Sequence, residues 1–88
     1  MASPDYKFTG LILLSSLERV GVEEELMEVL APFTLKVVEV QRIQLRGRLI
    51  VGALISCDPV HAAAIEEDIS AFSLKSGLDV AVDFSPVL

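Results

Sequence analysis

Apolar residues recur along this chain in two rhythms, and the changes of rhythm mark its elements. Lys7 to Ser15 is a short run dominated by Leu and Ile, with Pro4 before it and polar residues after it. A run apolar at both parities reads as a strand buried on both faces. A loop follows, Ser16-Leu17-Glu18-Arg19-Val20-Gly21, and then Val22, Leu26, Val29 and Leu30 fall at helical spacing. Glu23, Glu24, Glu25 and Glu28 stand between them in the first turns, where the helix dipole favours negative charge. Pro32 stops this helix near Ala31, because its ring cannot join the hydrogen-bond ladder.

Leu35 to Arg46 alternates, but its phase slips. Val38 and Val40 share one parity, whereas Ile43 and Leu45 share the other. One extra residue near Gln41-Arg42 restores a common face, so a β-bulge or sharp twist is predicted there. Arg46-Gly47-Arg48 reads as a hairpin tip, and Leu49 to Cys57 is apolar on both faces. Asp58 and Pro59 suit the cap and first position of a second helix, whose apolar stripe is Ala62, Ile65, Ile69 and Phe72. Gly77 closes that helix. Leu78, Val80, Val82 and Phe84 then alternate with Asp79, Ala81 and Asp83, as a half-exposed strand does.

The element order is β-α-β-β-α-β. Strands apolar on both faces belong in the middle of a sheet, so the first and third are central and the other two are edges. Right-handed crossovers then put both helices on one face. The prediction is a ferredoxin-like α+β sandwich: a four-stranded antiparallel sheet of order 4-1-3-2 with two helices on one side. Residues 1–6 read as a flexible tail and residues 7–88 as one domain.

Composition narrows the function classes. Eighty-eight residues make a single domain with a modest core. The net charge of −6 repels phosphate backbones and makes nucleic acid a poor partner. Yet Lys36 and the stretch Arg42-Ile43-Gln44-Leu45-Arg46-Gly47-Arg48 hold four of the seven basic residues. Spread along an edge strand and a hairpin tip, they fit charges that discourage uncontrolled pairing, or that set the register of a chosen partner edge against acidic residues such as Glu39, better than a phosphate grip. Cys57 is the lone cysteine and reads as a small core filler in a reducing compartment. No signal-peptide pattern is visible, and the apolar runs fall short of the ~20 residues of a membrane span. The expectation is a cytoplasmic protein without membrane or nucleic-acid partners.

Chemistry is sparse. The third strand has no aromatic residues for stacking bases. One cysteine and one histidine, His61, make no metal site, and His61 reads as a solvated surface residue. Asp-x-Asp pairs and Ser-His pairs are absent from the sequence, so no catalytic residue and no cofactor are assigned to this segment.

The stretch VVEVQRIQLRGRLIVGALI (residues 37–55), together with the first strand, Gly21-Val22 and an amphipathic helix, resembles an ACT domain. More closely, it is similar to the N-terminal ACT region of bacterial phosphoserine phosphatases. The first loop departs from that pattern: Arg19 and Gly21 are kept, Val20 stands for the proline, and the acid is shifted to Glu18. The resemblance implies a regulatory part of an enzyme of L-serine biosynthesis, a hydrolase whose own chemistry, with Mg2+, lies in a further domain. It implies amino-acid binding in the first strand-helix loop, at Ser16, Leu17, Glu18, Arg19, Val20, Gly21 and Val22, with serine the guess from pathway logic. It also implies self-association as a homodimer or higher oligomer, through a sheet edge or the open sheet face. Two alternatives stay open. One is an ACT module of another amino-acid enzyme or regulator. The other is a free-standing small phosphatase of the acylphosphatase type using Arg19, although the asparagine it needs is missing from this chain.

Overall fold

A computed structural model of the chain describes residues 8–17 and 19–86. The tail expected over residues 1–6, and Glu18, lie outside the described residues. The elements are β1 (Phe8–Leu17), α1 (Val22–Leu30), β2 (Leu35–Leu45), β3 (Arg48–Cys57), α2 (Ala62–Ser76) and β4 (Asp79–Pro86). The sheet order is β2-β3-β1-β4 and each neighbouring pair is antiparallel, as the sequence predicts.

One face of the sheet packs on the helices. Ile12 and Leu14 of β1 and Leu49, Val51, Ala53, Ile55 and Cys57 of β3 meet Val22, Leu26 and Leu30 of α1 and Ile65 and Ile69 of α2. Each fully buried aliphatic side chain of this kind contributes about 1.5–3 kcal/mol relative to exposure. Phe84 of β4 reaches the same layer and stacks on Phe8, with ring centroids 5.8 Å apart. Gly10 makes room for it: a Cβ at that position would lie 2.5 Å from a Phe84 ring carbon.

Local rules set the ends. Arg46 (φ 52°) and Gly47 (φ 75°) are both left-handed, the two-residue turn whose twist matches a β-hairpin, and Leu45 pairs with Arg48 beside it. Arg48, expected at the tip, is therefore the first residue of β3. The Asp58 side chain accepts from the Val60 N–H at 3.0 Å, as a cap should. What it caps is a single 3-10 turn, Pro59–His61, which runs into α2. The Ser73 hydroxyl donates to the Leu78 carbonyl at 2.6 Å, tying the end of α2 to the start of β4.

Two expectations are corrected. β1 runs on through Ser16 and Leu17, expected in the loop, because both still pair with β3. The register shift in β2 lies between Val37 and Glu39, not at Gln41-Arg42. With Val38 as the extra residue, Val37 and Val40 oppose Ile55 and Ala53 on the covered face. Ile43 and Leu45 oppose Ile50 and Arg48 on the open one. The slip of parity in the sequence is thus a change of which face β2 makes apolar.

Candidate functional site

That change of face places a charge where the sequence did not predict one. Beyond Val40, the helix-facing side of β2 carries Arg42, which opposes the buried Val51. Its Nε lies 3.6 Å from Glu23 Oε1 at the start of α1. On the other side of the same helix end, Arg19 Nη1 lies 2.6 Å from Glu25 Oε2. Both pairs are partly exposed, so each is worth only about 0.2–1 kcal/mol and is readily exchanged for another partner.

Between the two arginines is a cleft of about 580 Å³, within the range of small-ligand sites. Its floor is Gly21, Val22 and Leu49; its walls are Arg19, Val20, Glu23, Glu24 and Arg42. Gly21 has φ 88° and open space where a Cβ would stand, so the backbone there is accessible. The first helical bond of α1 runs from the Glu25 N–H to the Gly21 carbonyl at 3.0 Å. The N–H groups of Val22, Glu23 and Glu24 therefore have no helical acceptor, and no side chain caps them. Amides of this kind, with the positive end of the dipole, attract a carboxylate or phosphate. The carboxylates of Glu23 and Glu24 stand beside them and suit an ammonium group. Opposite charges side by side fit a zwitterion better than a bare anion.

Of the seven residues expected at this site, Arg19, Val20, Gly21 and Val22 line the cleft. Ser16 instead faces the core, with its hydroxyl donating to the Leu17 carbonyl at 2.8 Å, and Leu17 faces the open side of the sheet. Glu18 is outside the described residues. Glu23, Glu24, Arg42 and Leu49 are the additions. The sequence does mark Arg42, which sits at the parity slip, but parity alone does not tell which face it takes.

The remaining basic residues of the 42–48 stretch disperse. Arg46 forms the turn, and Arg48 Nη2 donates to Ser15 Oγ at 3.2 Å on the open face. They do not converge with Arg42 on one anion. His61, expected on the surface, is half-buried, and its Nδ1 is enclosed without a hydrogen-bond partner among the described residues. Cys57 lies in the core, where burial, with Asp58 adding to it, pushes the thiol above its usual pKa of 9.0. A thiol so held is protonated and inert. Among the described residues no group of three or more His, Cys, Asp or Glu could hold a metal ion. Among the described residues, too, no helix is long and apolar enough to cross a membrane.

A family model for the ACT domain matches residues 11–83. The chain is 36% identical over 81 residues to phosphoserine phosphatase SerB2 of Mycobacterium tuberculosis, covering 90% of this chain and 20% of that protein. It thus spans about a fifth of the length of that relative. Among solved structures, a candidate glycine cleavage system transcriptional repressor superposes with TM-score 0.88 at 10% identity, over 98% of this chain and 51% of the other. An ACT domain protein from Streptococcus pneumoniae gives 0.76 at 13% identity, over 88% and 89%. At such identities these two likenesses speak for the fold.

Proposed function

The chain belongs to the ACT domain family, and from that premise we propose that it is the regulatory segment of a phosphoserine phosphatase, binding a free amino acid at the start of α1 and self-associating. The observation that carries the ligand half of this reading is the cleft itself, where three amides without helical acceptors, two arginines and the carboxylates of Glu23 and Glu24 converge. The kinship with a named phosphoserine phosphatase supports the choice of parent enzyme.

In this reading the α-carboxylate of the ligand accepts from the N–H groups at the start of α1, while Arg42 turns from Glu23 toward it. Glu23, released from a pair only 3.6 Å wide, and Glu24 then receive the ammonium group. The exchange of one ion pair for two couples occupancy of the cleft to the position of β2 against α1. Hydrolysis of the phosphomonoester, and the Mg2+ that serves it, belong to a region outside this segment. Serine, the product of that reaction, is the first ligand to test.

Calorimetric titration with a panel of amino acids including serine tests the reading. One amino acid is expected to bind, at least tenfold more weakly to Arg42→Gln and to Glu24→Gln. Heat from none of the panel, or binding indifferent to both substitutions, would remove the site. The reading frame after Leu88 separates the parents: an Asp-x-Asp motif following a strand supports the phosphatase, and its absence favours another amino-acid enzyme.

A further inference from the structure

We infer that the amino acid held at the start of α1 is one with a phosphate on its side chain, and that Arg19, Arg48 and Ser15 seat that phosphate. The inference rests on the amino-acid reading above and deepens it by naming the ligand class.

In the cleft, Arg42, the first amides of α1, Glu23 and Glu24 meet the carboxylate and ammonium groups that every amino acid has, and Arg19 is left uncommitted. Arg19 also lines a second hollow of about 270 Å³, bounded by the end of β1, the start of β3 and the junction of α2 with β4. The two cavities therefore meet at the Arg19 side chain, the point toward which the side chain of a bound amino acid can extend. Among the described residues, the charged groups of the hollow are Arg19, Arg48 and Asp79.

Strand register sets what the hollow offers. Leu17 pairs with Arg48 on β3 and Ser15 with Asp79 on β4, so Arg48 and Asp79 stand on opposite sides of β1. Arg48 Nη2 donates to Ser15 Oγ at 3.2 Å, and Arg48 forms no ion pair among the described residues. Ser15 Oγ is the acceptor in that bond, and its own proton has no acceptor among the described residues. The hydroxyls of Ser16 and Ser76, by contrast, are spent on the Leu17 and Phe72 carbonyls. Arg19 holds Glu25 through Nη1, yet a guanidinium has five N–H donors in a planar fork and can present its other edge to a ligand.

Two guanidiniums and a hydroxyl proton suit a phosphate better than a carboxylate. At neutral pH a phosphomonoester carries about −1.5 to −2 charges and three acceptor oxygens, enough for both arginines and Ser15 together. A carboxylate brings one charge and two oxygens, and the hydroxyl of serine brings no charge at all. Arginine forks pair with phosphate through two parallel charge-assisted bonds, which outweigh an exposed contact such as that of Arg19 with Glu25. Asp79 opposes the anion, so its charge limits affinity. Occupancy of the site then reports the phosphorylated amino acid that the proposed parent enzyme consumes, rather than the one it releases.

Calorimetric titration of the 88-residue chain with O-phosphoserine, serine, glutamate and inorganic phosphate tests this. O-phosphoserine is expected to bind at least tenfold more tightly than the other three. Arg19→Gln and Arg48→Gln are each expected to weaken O-phosphoserine at least fivefold more than they weaken serine. Asp79→Asn is expected to tighten O-phosphoserine and leave serine unchanged, a gain that a damaged fold does not produce. Serine, glutamate or inorganic phosphate binding as tightly as O-phosphoserine overturns the phosphate seat, as does a preference that survives both arginine substitutions. If serine still binds and still depends on Arg42 and Glu24, that failure leaves the amino-acid reading standing. Heat from none of the four ligands overturns both.

Discussion

The two faces of this sheet are built from the same strands and nearly the same residue types, yet they differ in what covers them. On one side Ile12, Leu14, Val51 and Ile55 are wholly excluded from water under two helices. On the other, Leu11, Leu13 and Ile50 alternate with them along the same backbone and stay in contact with solvent. The covered face holds the fold, because burial there is complete without a partner. The open face contributes little to one copy and is available for association.

Truncating each face separates these roles. Leu26→Ala, under the covered face, is expected to cost about 2–5 kcal/mol in denaturant unfolding, whereas Leu13→Ala costs less than about 1 kcal/mol in dilute solution. Equal costs at micromolar concentration would end the contrast. A second, smaller effect comes from overfilling. Gly10→Val is expected to lose about 1–3 kcal/mol, since the new side chain must displace the Phe84 ring from Phe8. The same change at Gly52, on the open side, should leave the unfolding midpoint within about 0.5 kcal/mol. The smallest effect is a pH dependence belonging to the covered face alone. The Cys57 thiol titrates above 9.0 in the folded chain, so the unfolded chain loses that proton first. Its contribution is constant below pH 9 and declines as pH rises through the raised value. Urea midpoints at pH 7 and pH 10 measure this, and Cys57→Val should flatten the decline.

Much of the architecture was legible because single residues carry unambiguous instructions. Pro32 ends α1, Asp58-Pro59 opens the second helical stretch, and the double apolar parity of β1 and β3 places them centrally. What stayed hidden depended on neighbours. The face of a strand is a property of its register, so the parity slip at Val40 to Ile43 fitted either a bulge or an exchange of apolar faces. Only pairing with β3 decides between them, and it decides Arg42 as well. Ser16 follows the apolar run and reads as the start of the loop, whereas its hydroxyl is satisfied by the adjacent carbonyl and the side chain turns inward. Six of the eight residues that line the cleft, Arg19 to Glu24, come from one short stretch of sequence; the other two, Arg42 and Leu49, come from β2 and β3 and reach it only through the fold.

The place of β1 between β3 and β4 also governs the order in which the chain can assemble. Of the three strand pairings, only β2 with β3 closes through a two-residue turn, an event of about 1–10 μs for an isolated hairpin. Thr9 must wait for Ser85, 76 residues later, before its outer neighbour exists. On a ribosome adding about 5–20 residues per second, the first strand is therefore exposed for seconds with both edges unsatisfied. Its Leu-rich sequence makes that interval prone to aggregation.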